Sequence, residues 1–366
     1  MSTNTTEPAT ISAGRLTDLL CRAFRGVGLD EGDATAVSAV LVDANLRGVE
    51  SHGVERAPVY LRRVHAGLAG GSGRMTTRVD AGALVWLDAG GALGPAAAVP
   101  ATDLAIARAE VHGIALVSVG CSSLFGHAGY YAQRGAARGM LAIVASNAPA
   151  CMAPHGARTA FVGTNPLAIA TPLGDHGQFV LDLSTSVIAR GRIRRSGKLG
   201  EMIPEGCAID AAGNPTTEPA AALAGSVLPM AGPKGSGLAL GISLLTAFLA
   251  EADFDDEMGS IYSGAQQSQN MGHIFIMIDP GRLTDAAAAA DRSQAMIDRL
   301  HALVPADGFD SVRAAGERRE RCAAERRRSG IPLAGPELAA FAEACADCGV
   351  ADVAAELAAL APVSPV

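Results

Sequence analysis

Val49-Glu50-Ser51-His52-Gly53-Val54-Glu55-Arg56-Ala57-Pro58-Val59-Tyr60 sets a hydroxyl beside an imidazole. A guanidinium follows four residues after the imidazole, and a phenol four after that. Pro58 suits the first turn of a helix that carries Tyr60 to His65. Helical patterns lie before this stretch. Leu16, Leu19, Leu20, Ala23 and Phe24 share one face from Ser12 onward, until Gly26 and Gly28 stop it. A second helix is predicted over 30–45, with Asp30 or Asp33 as its cap. Beyond Gly67, Gly70, Gly71 and Gly73 the texture changes to strands.

The chemistry of the stretch is that of a small acid. Histidine is the side chain most easily tuned to exchange protons near neutral pH. Arginine offers a planar fork that matches a carboxylate. Together His52 and Arg56 suit a 2-oxo or 2-hydroxy acid, one residue holding the acid and the other protonating the carbonyl oxygen. A nucleophilic Ser51–His52 pair is the rival, and adjacent side chains rarely point at each other as it requires.

Working outward, 83–88 reads as a strand, 95–111 as an Ala-rich helix and 113–119 as a strand. A helix is predicted over 126–139, then strands over 141–145, 161–171 and 179–182. Residues 190–220 read as polar, with turn chemistry at Gly213-Asn214-Pro215-Thr216-Thr217. A Gly-rich segment, 231–237, opens a long apolar helix over 238–249, and 273–278 is a strand. The tail from about residue 284 is helical, with a mixed-charge face over 318–328. The fold class is α/β (α+β), with helical ends packed together around a mixed middle.

With 366 residues, two or three domains are the natural expectation. Hydrophobic residues are 49% and charged residues 18%, enough apolar side chain for a large core. A net charge of −8 argues against a nucleic-acid partner, which needs a basic surface. The first residues show no targeting pattern, and no run of 18 uninterrupted apolar residues predicts a membrane helix. A cytoplasmic protein is expected. Seven scattered cysteines fit reduced thiols, and Cys345 and Cys348 read as helix packing rather than a metal site.

No G-x-G-x-x-G follows an early strand, so any dinucleotide binds outside a standard Rossmann unit. Lys234 and Gly235 lie where a helix N-terminus favours phosphate; a tight turn with Lys234 in solvent is an equal reading. Asp182, Ser184, Thr185 and Ser186 end a strand with polar groups that suit ribose or phosphate, or cap the next helix. Gly163-Thr164-Asn165-Pro166 reads as structural. His65, His112, His155, His176 and His301 stand alone.

The run Asp43-Ala44-Asn45-Leu46-Arg47-Gly48-Val49-Glu50-Ser51-His52-Gly53 resembles the signature of the type-2 malate/L-lactate dehydrogenase family. That family includes malate, sulfolactate and ureidoglycolate dehydrogenases, diketogulonate reductase and the piperideine-2-carboxylate reductases. Further matches follow in order, among them Gly129-Tyr130-Tyr131, Gly163-Thr164-Asn165-Pro166, Asp182-Leu183-Ser184-Thr185-Ser186, Ala189-Arg190-Gly191, Lys234-Gly235-Ser236-Gly237 and Gly316-Glu317-Arg318-Arg319. The resemblance implies a sulfolactate-dehydrogenase-like, non-Rossmann cofactor domain with a mixed or antiparallel sheet. It implies NAD or NADP as cofactor, a small carboxylate substrate and a homodimer. His52 would be the proton donor or a substrate ligand, Ser51 its neighbour, Arg56 the carboxylate anchor and Tyr60 a pocket wall. Phe125, Gly126, Asp182, Ser184, Thr185, Ser186, Lys234, Gly235, Glu317 and Arg319 would lie along the cofactor. The implied division is 1–70 with 285–366 as a helical dimerisation and substrate region, 71–117 with 225–284 as an α/β middle domain, and 118–224 as the NAD(P) domain.

There is one large departure. Many members carry His-Phe-Gly where this chain reads Leu124-Phe125-Gly126, and leucine moves no proton. His127 lies three residues on. It shares a face with position 124 if the segment is already helical, and would then substitute; otherwise it caps or packs. The expected reaction is hydride transfer on a 2-oxo/2-hydroxy acid. The alternatives are a cyclic imino-acid reductase and a dinucleotide-binding homologue that has lost catalysis.

Overall fold

The computed structural model describes residues 9–174, 177–259 and 269–360, so His176 lies outside the described residues. The chain opens with β1 (Ala9–Ile11), α1 (Ala13–Gly26), α2 (Glu31–Leu46) and, after two short 3₁₀ turns, α3 (Ala57–His65). Ser12 caps α1 by accepting from the Arg15 amide, and Asp30 caps α2 by accepting from the Asp33 amide. Asp33 instead holds Ser72, accepting from its amide and its hydroxyl at 2.7 Å each. All five residues of the predicted α1 face are buried.

Next come β2 (Thr76–Asp80), β3 (Leu84–Asp88), α4 (Gly94–His112), β4 (Ile114–Ser122), α5 (Ala128–Ala137), β5 (Leu141–Ser146), β6 (Leu167–Pro172) and β7 (Gln178–Leu183). They are followed by α6 (Arg190–Leu199), β8 (Ala208–Ile209), α7 (Pro219–Ala224), β9 (Ser226–Val227), α8 (Pro233–Ala250) and β10 (Met271–Ile278). The chain then runs through α9 (Ala286–His301), α10 (Glu317–Ser329), β11 (Ile331–Leu333), α11 (Gly335–Asp347) and α12 (Ala351–Leu360).

Seven strands form one sheet in the order β2-β3-β4-β10-β5-β6-β7. Only β3 and β4 run parallel, and α4 is their crossover; the remaining neighbours are antiparallel. A sheet of this kind has no Rossmann switch point, which accounts for the missing glycine fingerprint. Val85, Leu87, Val117, Val119, Val144, Phe275 and Met277 pack against Ala97, Ala101 and Ala105 of α4 and Tyr131 and Ala132 of α5. Alanine on the helices lets them lie close to the strands.

A second core is helical. Leu16, Leu20 and Phe24 of α1, Val37 and Leu41 of α2, Tyr60 and Leu61 of α3, and Leu338, Phe341 and Leu357 from α11 and α12 share it. Antiparallel pairing of Ala9 with Leu333 and Ile11 with Ile331 joins β1 to β11 beside this core. A third, smaller core gathers Met152, Val162, Ile188, Ile193, Ile203 and Val227.

Some elements escape the sequence pattern. The span 190–220, read only as polar, contains α6 and the start of α7, while 213–217 stays outside both helices as its turn chemistry predicts. Helix α6 carries Arg190, Arg192, Arg194, Arg195 and Lys198 and buries only Gly191 and Ile193, so it has no apolar period to detect. Strand β2 is an edge strand with all five residues exposed, so no alternation marks it. The strand expected from 161 begins at Leu167. The residues before it form a loop tied down by Asp255, whose carboxylate accepts from Gly163 N, Asn165 Nδ2 and Ser243 Oγ at 2.7–2.9 Å. The Gly-Thr-Asn-Pro turn is structural, as read.

Helix α8 is long and apolar enough to cross a membrane by length and composition, which a search for uninterrupted apolar runs does not register. It packs along β10 and β4, burying Ser236, Ser243 and Thr246, while Leu244, Leu245 and Phe248 are exposed. All seven cysteines are free thiols. Burial pushes the Cys345 thiol up to about 12, which suits the packing role expected for the Cys345–Cys348 pair.

Candidate active site

The Ser51–Arg56 turn is built from α2 outward. Asn45, at the end of α2, is 1% exposed, and its Oδ1 accepts from the Val54 amide at 2.7 Å. Arg326 of α10 donates to the Asn45 carbonyl and, at 2.8 Å, to Glu50 Oε1. Helix α6 closes the other side. A Cβ added at Gly191 would stand 2.5 Å from Ser51 Cβ, so only glycine permits this approach.

Within the turn, Ser51 Oγ lies 3.0 Å from His52 Nδ1. This corrects the expectation that adjacent side chains would not meet. The tight 3₁₀ turn over Glu50–His52 folds the hydroxyl back onto the ring. The contact orients the imidazole and leaves Nε2 as the nitrogen for a ligand. Arg56 Nε donates to the Ser51 carbonyl at 2.6 Å, fixing the guanidinium against the same turn. Burial lowers the His52 pKa to about 3, helped by the charges of Arg56 and His127. The ring is therefore neutral at physiological pH.

Tyr60 is 2% exposed and its hydroxyl donates to the Leu124 carbonyl at 3.3 Å. It is enclosed behind the turn, and burial pushes its phenol up to about 12. Leu124 itself packs against the helical core. The segment after it is not helical, because α5 starts at Ala128 and His127 is its extended N-cap residue. Positions 124 and 127 therefore share no helix face, and the premise on which His127 would replace the missing imidazole fails.

His127 instead points between two carboxylates. Its Nε2 lies 3.1 Å from Asp43 Oδ2 and its Nδ1 3.7 Å from Asp182 Oδ2. Arg47 holds Asp43 through Nε at 2.9 and 3.0 Å and reaches Glu320 at 2.6 Å. Arg319 holds Asp182. Burial raises the Asp182 carboxyl, but His127 and Arg319 outweigh it and bring it to about 2. Asp43 and Arg47 carry no role in the sequence reading. Their i,i+4 spacing across the end of the predicted helix is the signal that could have flagged them.

Of the groups expected along the cofactor, Ser184, Thr185 and Ser186 gather at the end of β7. Ser184 Oγ lies 3.2 Å from Ser186 Oγ, and Ser186 Oγ donates to the Ile188 carbonyl. Thr185 N donates to Thr164 O, and Met230 N donates to Thr185 O, which brings the turn before α8 alongside. There Gly232, with φ +59°, caps α8, Pro233 occupies its first turn and Lys234 is exposed. A cavity of about 320 Å³ opens at this point, lined in part by Pro154, His155, Val187, Leu228, Pro229 and Gly232. Gly126 has φ +86° beside Val40. Phe125 is 2% exposed, stacked 4.5 Å from the His273 ring and 4.9 Å from Tyr131, so its ring is a core element behind the site. Glu317 faces His301 Nε2 at 2.5 Å, which gives that histidine a partner.

A dinucleotide fits these surroundings. The cavity offers apolar walls for a base beside a helix N-terminus for phosphate. Thr185 Oγ1 is fully buried without a hydrogen-bond partner, an orphan that a bound polar group would satisfy. Lys234 and Ser184–Ser186 are the residues that would hold the group.

The chain matches the model of a family described as malate/L-lactate dehydrogenase over residues 11–341. It is 36% identical over 329 residues to a (2R)-3-sulfolactate dehydrogenase (NADP(+)) of Chromohalobacter salexigens, covering 89% of this chain and 95% of the relative. It is 32% identical to a Δ1-pyrroline-2-carboxylate/Δ1-piperideine-2-carboxylate reductase of Pseudomonas putida, covering 90% and 94%. The solved sulfolactate dehydrogenase from Methanocaldococcus jannaschii superposes with a TM-score of 0.85 at 32% identity, covering 93% of this chain and 97% of that one. This chain belongs to the malate/L-lactate dehydrogenase family.

Proposed function

We propose that the Ser51–Arg56 turn binds the carboxylate of a small 2-oxo or 2-hydroxy acid and exchanges a proton with its oxygen at His52 Nε2. The chain is an NAD(P)-dependent oxidoreductase of its family. When bound, the nicotinamide supplies or accepts the hydride. Arg56 anchors the substrate carboxylate, and Ser51 holds the His52 ring in register. The observation that carries this reading is the neutral, hydroxyl-oriented imidazole of His52 beside Arg56. A carboxylate arriving at Arg56 offsets the positive charge that depresses His52, so binding an anion raises the proton affinity of the ring. Proton uptake is thereby coupled to substrate binding in the reduction direction.

The test is oxidation of NADH and NADPH against a panel of 2-oxo acids and cyclic imino acids. Turnover of at least one carboxylate is the expected result. Dinucleotide binding by fluorescence with no turnover on any member would overturn the reading in favour of a catalytically impaired homologue. Turnover confined to cyclic imino acids would select the second reading, to which the 32% identity to the Pseudomonas putida reductase lends support.

We further infer a homodimer and a helical region composed of 1–70 with 285–366. The β1–β11 pairing and the shared helical core support the second. The exposed Leu244, Leu245 and Phe248 of α8 support association of two copies. Light scattering is expected to give twice the 37.0 kDa chain mass, and a monomer mass would refute the dimer.

A further inference from the structure

A ladder of alternating charge joins α10, α2, the start of α5 and β7, in the order Glu320, Arg47, Asp43, His127, Asp182, Arg319. Its middle is enclosed. Side-chain exposure is 11% for Arg47, 16% for Asp43, 3% for His127 and 8% for Asp182. Both ring nitrogens of His127 face carboxylate oxygens, Asp43 Oδ2 at 3.1 Å and Asp182 Oδ2 at 3.7 Å. A neutral ring would turn a lone pair toward one of them, whereas the imidazolium presents an N–H to each, so the placement of the two carboxylates favours the cation.

The groups facing His127 come from every element around it. Asp43 and Arg47 come from α2, Asp182 from β7 and Arg319 from α10. His52, on the Ser-His turn, feels the charges of His127, Asp182 and Arg319, and the Tyr130 ring of α5 lies 6.2 Å from that of His127. The positive end of α5 opposes the cation, since His127 caps that helix. Burial opposes it too, but the Asp182 and Asp43 carboxylates outweigh both and hold the imidazole above its ordinary value. Asp182 is brought in by Gly129, where a Cβ would stand 3.0 Å from Asp182 Oδ2 and push the strand away.

We propose that His127 is a positioning residue, a buried cation that ties the end of α2 to the end of β7 and keeps a positive charge beside His52 without touching substrate. This rests on His52 as the reacting imidazole. Leucine at position 124 and histidine at 127 are then one coherent departure. The imidazole no longer reaches the reacting centre but sets the charge that His52 feels. With the cation in place, protonation of the resting His52 ring is disfavoured until a substrate anion arrives.

Two measurements on the full chain test this. Imidazole NMR titration of the substrate-free protein is expected to show His127 charged at pH 7. In Asp43→Asn its midpoint should fall by roughly one pH unit, the usual effect of removing one contacting carboxylate. A neutral His127 at pH 7, or a midpoint unmoved by Asp43→Asn, overturns the proposal regardless of activity, so its failure is distinct from failure of the His52 assignment. In His127→Gln, the cation is lost and two carboxylates remain, and both changes raise the proton affinity of His52. The pH profile of kcat/KM is therefore expected to move upward by roughly one unit, with kcat at the optimum kept within about tenfold. An unmoved profile would reduce His127 to packing. Turnover lost at every pH with dinucleotide binding intact would make it a direct proton donor. Either result overturns the proposal. The Asp43→Asn titration still decides if His127→Gln does not fold.

Discussion

His52→Ala is expected to lower kcat by about 10²- to 10⁴-fold, the usual contribution of a positioned acid–base group. Dinucleotide affinity should stay close to that of the parent chain, because the groups assigned to the cofactor sit at the end of β7 and the start of α8. The side chain removed sits in a half-buried turn where it pairs with Ser51, so the loss is expected to be chemical, with a small change in melting temperature. Stopped-flow turnover alongside fluorescence titration of NADH or NADPH separates the two. A kcat equal to that of the parent would remove His52 from the reaction.

Arg56→Ala is expected to act through the substrate instead. A charge-assisted hydrogen bond contributes about 1.5–3 kcal/mol, so kcat/KM for a carboxylate substrate should fall by about 10- to 100-fold. The effect on His52 runs the other way. Arg56 is the largest charge depressing that imidazole, so its removal raises the ring's pKa and lifts the acid limb of the profile toward neutrality. Lysine in its place keeps the charge but not the planar fork, and should recover the pH profile more fully than the affinity. A neutral ketone losing as much as the carboxylate would argue that Arg56 only supports the turn through the Ser51 carbonyl.

The local parts of this site are legible in the chain. Ser51, His52 and Arg56 lie on consecutive turns, so sequence proximity becomes spatial proximity. Amphipathic helices such as α1 are legible for the same reason, since Leu16, Leu19 and Phe24 repeat with the helix. What joins distant segments is not. Asp43, His127 and Asp182 belong to a helix, a cap and a strand end, and no periodicity announces that they meet. The face argued for Leu124 and His127 presumed helix, whereas the chain there stays irregular until α5 starts at Ala128. Tyr60 and Phe125 carry the right chemistry for a pocket, yet burial assigns one to the back of the turn and the other to the sheet core. Helix α6 is invisible to an apolar pattern because its arginines leave only one narrow buried strip.

Helix α10 has a bearing on biosynthesis. Its Arg326 reaches Asn45 across 281 residues, and its Glu320 reaches Arg47 across 273. During vectorial synthesis the Ser-His turn emerges long before the helix that braces it. The nascent chain must carry that turn without its clamp while most of the protein is still being made. Contacts of such long range form late and slowly. Competence of the reacting centre is thus a terminal event of folding, and gain of activity during refolding should trail the gain of secondary structure.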